Sequence, residues 1–144
     1  MLASIPLPAR LLGLAGLVPF WACAIAVVFG DDELASSALY AQVAYGALIL
    51  TFLGGVHWGI ALRSGAAPSW GRLGWGVTPS LVGWAALLMP PAQGLGLLAA
   101  GLAIALAVDL ETLKEPTAPG WYAKLRRFLT TGALASLLVA LFGR

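Results

Sequence analysis

One cysteine, one histidine and few charged residues leave little material for most kinds of site. Cys23 has no partner for an internal disulfide, and a lone thiol inside an apolar run reads as a packing residue. His57 has no second histidine with which to hold a haem or complete a zinc site, and neither H-E-x-x-H nor C-x-x-C occurs. There is no P-loop and no G-x-S-x-G nucleophile elbow. Basic residues stand singly or in pairs beside apolar segments, so the stripe that nucleic acid requires is missing. The expectation is therefore no metal, no cofactor and no catalytic set.

Charge is the most telling scarcity. Only 10% of the 144 residues are charged, against roughly 25% in a soluble domain. What is present instead is apolar: 60% of the chain, with a mean hydropathy of +0.92. Such a surface faces lipid, not water. Runs of about 20 apolar residues suffice to cross a bilayer, and the charges divide the chain into such runs. Five spans are expected, at about residues 10–29, 39–62, 71–89, 93–110 and 124–142, making one membrane domain over 1–144.

Ala22-Cys23-Ala24 after Arg10 resembles a leader cleavage site, but the apolar run continues to Phe29 and reads as an anchor. Pro19 inside that first run is of a kind lipid-embedded helices tolerate, and Asp31, Asp32 and Glu33 read as a short acidic loop. Pro90-Pro91 interrupts a long uncharged stretch and predicts a tight helical hairpin. No repeat at a fixed period is present.

Five crossings put Arg10, Arg63, Arg72, Lys114, Lys124, Arg126 and Arg127 on one side, with Arg144 and the acidic triplet on the other. By the positive-inside rule the fold is an all-α polytopic transmembrane bundle of about five helices, N-terminus cytoplasmic and C-terminus periplasmic.

Small residues at every fourth position suggest helix packing: Gly55 and Gly59 beside Gly54 in the second span, Gly132, Ser136 and Ala140 in the fifth, and Ala99, Ala103 and Ala107 in the fourth. They serve either a compact bundle or a docking face for another subunit. His57 lies roughly 9 Å inside its helix end by helical rise. It is either a neutral side chain bonded between helices or a group that works on a ligand or proton. Thr78, Ser80, Asp109, Arg10 and Trp58 fall at similar depth, with Thr130 and Thr131 near the start of the fifth span. Together they outline a shallow polar pocket open to the cytoplasmic leaflet, in which Asp109 could orient His57. Trp58, Trp70, Trp75 and Trp121 read mainly as interfacial anchors.

The strings Ile5-Pro6 with Ala9-Arg10, Phe52-Leu53-Gly54-Gly55-Val56-His57-Trp58-Gly59, Pro79-Ser80-Leu81 with Trp84, Asp109, and Trp121-Tyr122 with Leu125-Arg126 resemble a known group. It is the bacterial and mitochondrial family of unknown function typified by transmembrane protein 69. The resemblance covers nearly the whole chain and implies the inner membrane of a Gram-negative bacterium. It implies no reaction, ligand or catalytic residue.

Three functions fit these residues. A non-catalytic accessory subunit or assembly factor of a larger membrane complex fits best, given the abundant packing faces. The alternative is a binder of a quinone, lipid or similar amphiphile near His57. A proton-linked transporter ranks last, because membrane-embedded acids are nearly absent.

Overall fold

The computed structural model describes residues 4–63, 67, 69–112 and 119–143. Lys114 and Arg144, both counted in the charge asymmetry, lie outside the described residues. Among the described residues six helices follow in order: α1 Leu7–Ala15, α2 Val18–Phe29, α3 Asp32–Arg63, α4 Trp70–Leu87, α5 Pro91–Thr112 and α6 Gly120–Phe142. There is no strand among the described residues. α1 and α2 form one kinked rod, so the fold is an all-α bundle of five rods. Four of them are long and apolar enough to cross a membrane: Leu7–Phe29, Asp32–Arg63, Pro91–Thr112 and Gly120–Phe142. Arg72, Thr78, Pro79, Ser80 and several glycines dilute the apolar character of α4, which nonetheless packs more extensively on α3 than any other pair of helices does.

Two local expectations need correction. The first apolar run is not one continuous helix, because Pro19 has no N–H for the carbonyl of Ala15 and its ring crowds that turn. The chain answers with a break at Gly16-Leu17, tightened by Leu17 N donating to Leu14 O at 3.0 Å. The Tyr45 hydroxyl of α3 donates to the Gly16 carbonyl at 3.0 Å, pinning the kink from outside. Tyr45→Phe is expected to lower stability by about 1 kcal/mol, read as a shift in the unfolding midpoint.

The acidic triplet is not a loop either. Asp31 is the N-terminal cap of α3, its Oδ1 accepting from Leu34 N at 2.8 Å, while Asp32 and Glu33 occupy the first helical turn. The unpaired N–H groups and positive dipole end of a helix favour carboxylates there. α3 is thus longer than the span read from hydropathy. At the other hairpin, Leu88 N and Met89 N bond back to Ala85 O and Ala86 O, and α5 starts directly at Pro91. Proline suits that first position, where its missing N–H goes unused.

The core is a column of Phe20, Leu50, Leu95, Leu98, Leu102 and Leu137, all essentially inaccessible. On α5 the buried stripe is Leu95, Leu98, Leu102, Ala105 and Asp109; on α6 it is Arg126, Thr130, Ala133, Leu137 and Ala140. Both repeat at alternating steps of three and four, the spacing of a helix seam. Ala103 and Ala107 therefore face outward, and Ala99 is only half-buried. The outer surface carries Leu12, Phe29, Phe52, Leu62, Trp84 and Phe142, an apolar coat suited to lipid.

Close approach of α3 and α4 depends on glycine. A methyl group on Gly54 would overlap the carbonyl oxygen of Gly76, and one on Gly83 would lie 3.0 Å from the carbonyl oxygen of Ala47. A methyl on Gly55 or Gly59 would meet nothing within 4 Å among the described residues, so the G-x-x-x-G step points away from the bundle. Gly132 faces inward against the side chain of Leu17, and Ser136 is buried with its hydroxyl donating to Ala133 O at 2.7 Å.

Candidate functional site

The seams of α3, α5 and α6 converge on three buried ionisable side chains. His57, Asp109 and Arg126 are 3%, 4% and 5% exposed, which makes them solvent-shielded despite lying near helix ends. His57 Nε2 is 2.8 Å from Asp109 Oδ1. Arg126 Nε donates to Asp109 Oδ2 at 2.6 Å, and Arg126 Nη1 donates to Thr130 Oγ1 at 2.9 Å. The carboxylate of Asp109 thus uses one oxygen for each partner and joins three helices. An ionised carboxylate only accepts, so the His57 Nε2 proton points at Oδ1. Trp75 sets its ring edge-on to His57, with centroids 6.4 Å apart.

Arg126 is the residue that hydropathy hid. It reads as one of a basic group with Lys124 and Arg127, yet it lies in register with Thr130, Ala133, Leu137 and Ala140 on the buried face. Its Nη2 is buried and has no hydrogen-bond partner among the described residues. Thr130→Val would also strand Nη1, and a buried donor left unmade costs about 1–3 kcal/mol. Thr130→Ser, which keeps the acceptor, is expected to lose clearly less in the same unfolding assay.

The remaining polar candidates do not join this network. Thr78 is exposed and Ser80 half-buried, and each donates within α4, to Gly74 O at 2.9 Å and to Val77 O at 2.7 Å. Trp58 is partly exposed and donates to Leu73 O at 3.1 Å, tying α3 to α4. Arg10 is half-buried on α1. Thr131 is exposed and donates to Arg127 O. Depth along a helix brought these residues together in the sequence, but they sit on different faces.

Space is unevenly distributed around the network. On the His57 and Asp109 side the gap is only about 10 Å³. On the Arg126 side lies a groove of about 340 Å³ between the kinked α1–α2 rod, α3 and α6. Phe20, Phe52, Trp121 and Tyr122 supply aromatic walls, and Arg126 and Thr130 line it as well. The volume falls at the lower end of the range for small-molecule sites, and the mix of apolar walls with few polar groups is usual for them. A smaller crevice of about 100 Å³ between Trp75, Pro79 and Ile104 is entirely apolar. No group of three or more metal-ligating side chains occurs among the described residues.

A family model described as protein of unknown function (DUF3429) matches residues 5–142. Transmembrane protein 69 of Xenopus tropicalis is 43% identical over 144 residues, covering 97% of this chain and 56% of the relative. Transmembrane protein 69 of Mus musculus is 38% identical over 138 residues, covering 94% of this chain and 56% of the relative. The chain thus spans a little more than half the length of these relatives. No solved structure matches it.

Proposed function

We propose that this chain, which belongs to the DUF3429 family, is a multi-pass membrane protein that holds an amphiphile in the groove beside Arg126. The observation that carries this reading is the juxtaposition of a 340 Å³ apolar groove with a buried, hydrogen-bonded charge network at its wall. A bundle that needed only to pack would gain little from such a network, since an apolar replacement of a buried ion pair is often neutral or stabilising. The amphiphile's apolar body would lie along the aromatic walls, and its polar end would meet Arg126 and Thr130.

The groove departs from the pocket expected around His57 and Ser80. Asp109 links His57 to Arg126 but is not part of the groove lining, and neither is Ser80. In this reading His57 and Asp109 are positioning residues, holding the guanidinium in place from behind.

Orientation is part of the proposal. Successive helices alternate direction, which gathers Arg10, Arg63, Arg72, Lys124 and Arg127 at one end and Asp31, Asp32 and Glu33 at the other. The basic end would face the cytoplasm of a bacterium, with the protein in its inner membrane.

Filling the groove tests the reading. Wild-type protein and Ala9→Phe are extracted into native nanodiscs, and their bound small molecules are compared by mass spectrometry. The wild type is expected to carry an enriched amphiphile that falls by about tenfold in the variant. Equal lipid content in both would reject the groove as a binding site.

A second reading, an accessory subunit of a membrane complex, is favoured by one observation. Gly55 and Gly59 present an outward glycine step on α3, with nothing among the described residues within 4 Å of either added methyl. Another helix could approach closely there. Native electrophoresis after mild extraction checks this, since migration only as a monomer or homo-oligomer would count against it.

A further inference from the structure

Resting on the reading that the groove holds an amphiphile, we infer that its ligand is neutral and carbonyl-bearing, presenting an oxygen to Arg126 Nη2. The charges around the groove select this class. Among the described residues Arg126 is the only charged one lining the groove, and its positive charge is already balanced by Asp109 at 2.6 Å. A carboxylate or phosphate head group would bring a second anion to a cation that has one, in surroundings that shield charge poorly. No other basic side chain among the described residues lines the groove to offset it.

A neutral oxygen faces no such penalty. Nε and Nη1 are engaged by Asp109 and Thr130, whereas the buried Nη2 has no acceptor among the described residues. Arginine keeps its charge and presents its donors in a fixed fork, so with two arms held by protein Nη2 is the donor left without an acceptor, and the groove wall must give way slightly for a ligand oxygen to reach it. A carbonyl oxygen accepts two hydrogen bonds and adds no charge. The rest of the lining is apolar, with rings from Phe20, Phe52, Trp121 and Tyr122 that suit a flat or chain-like body. Two sources share this chemistry: the ring carbonyl of a quinone and the ester carbonyl of a diacylglycerol.

Native mass spectrometry of the delipidated full chain separates the possibilities, using decylubiquinone, dioleoylglycerol and oleate as probes. At least one neutral probe is expected to bind about tenfold more tightly than oleate. Ala9→Phe should weaken that probe's binding. Asp109→Leu/Arg126→Met should bring neutral probe and oleate to within about twofold of each other. Binding of decylubiquinone alone marks a ring-borne carbonyl, and binding of dioleoylglycerol marks an ester; either supports the class. Oleate binding as tightly as both neutral probes, while still weakened by Ala9→Phe, would overturn the head-group inference and leave the groove standing. Binding of every probe unchanged in Ala9→Phe would remove the groove reading and this inference with it.

Discussion

Asp109→Leu is expected to destabilise the bundle by about 3–5 kcal/mol, the loss typical of stranding one partner of a buried ion pair. Arg126 and His57 would both lose their carboxylate acceptor, and the guanidinium cannot discharge itself by losing a proton. The double variant Asp109→Leu/Arg126→Met should behave very differently. Removing both charges together removes the desolvation penalty together with the attraction, so its stability is expected within about 2 kcal/mol of wild type. The comparison is made by reversible unfolding in mixed micelles. A double variant as unstable as the single would mean that the two side chains do not act as a pair. Retained stability with lost ligand retention in the double variant would instead separate the network's two roles, placing its value in binding.

The second large effect lies at the α3–α4 contact. Gly54→Ala is expected to cost about 1–3 kcal/mol, because the new methyl meets the backbone oxygen of Gly76, which cannot rotate aside as a side chain would. Gly76→Ala presses instead on the Trp58 ring, whose Nε1 bond to Leu73 O would be strained or broken. Gly55→Ala carries the opposite sign. Its methyl meets nothing within 4 Å, so the helix preference for alanine, up to about 1 kcal/mol, acts alone. Adjacent glycines with opposite responses would be hard to reconcile with any other face of α3 packing on α4. Equal responses at Gly54 and Gly55 would contradict the register described here.

That register also shows what the amino-acid sequence makes legible. Charges at Arg63, Arg72, Asp109 and Lys124 punctuate the apolar runs, and Pro90-Pro91 marks a hairpin, so the number and order of rods follow from hydropathy. Element ends were harder. Asp31, Asp32 and Glu33 look like a polar loop until the helix N-terminus is seen to favour acids, and Pro19 breaks a rod that apolar content alone would leave whole. For the site, depth was readable but facing was not. His57 and Asp109 are at one depth and on converging seams; Thr78 and Ser80 share that depth but spend their hydroxyls on carbonyls of their own helix. Arg126 carried a signal in its spacing to Thr130 and Ala133, masked by the basic neighbours that set topology. The glycine signature was visible too, but G-x-x-x-G picks out Gly55 and Gly59, one residue off the face that Gly54 packs. The groove itself had no linear signature, since α1, α3 and α6 meet there only after folding.

The central claim is that Asp109 holds His57 and Arg126 together at the wall of an occupied groove. A density map of the protein in a lipid nanodisc tests it most directly. The expected map places the Asp109 carboxylate within about 3 Å of both partners and shows elongated density between α1, α3 and α6 ending at Arg126. A map in which Asp109 turns away from Arg126, or in which α1 closes against α6 and leaves no room beside it, would contradict the account.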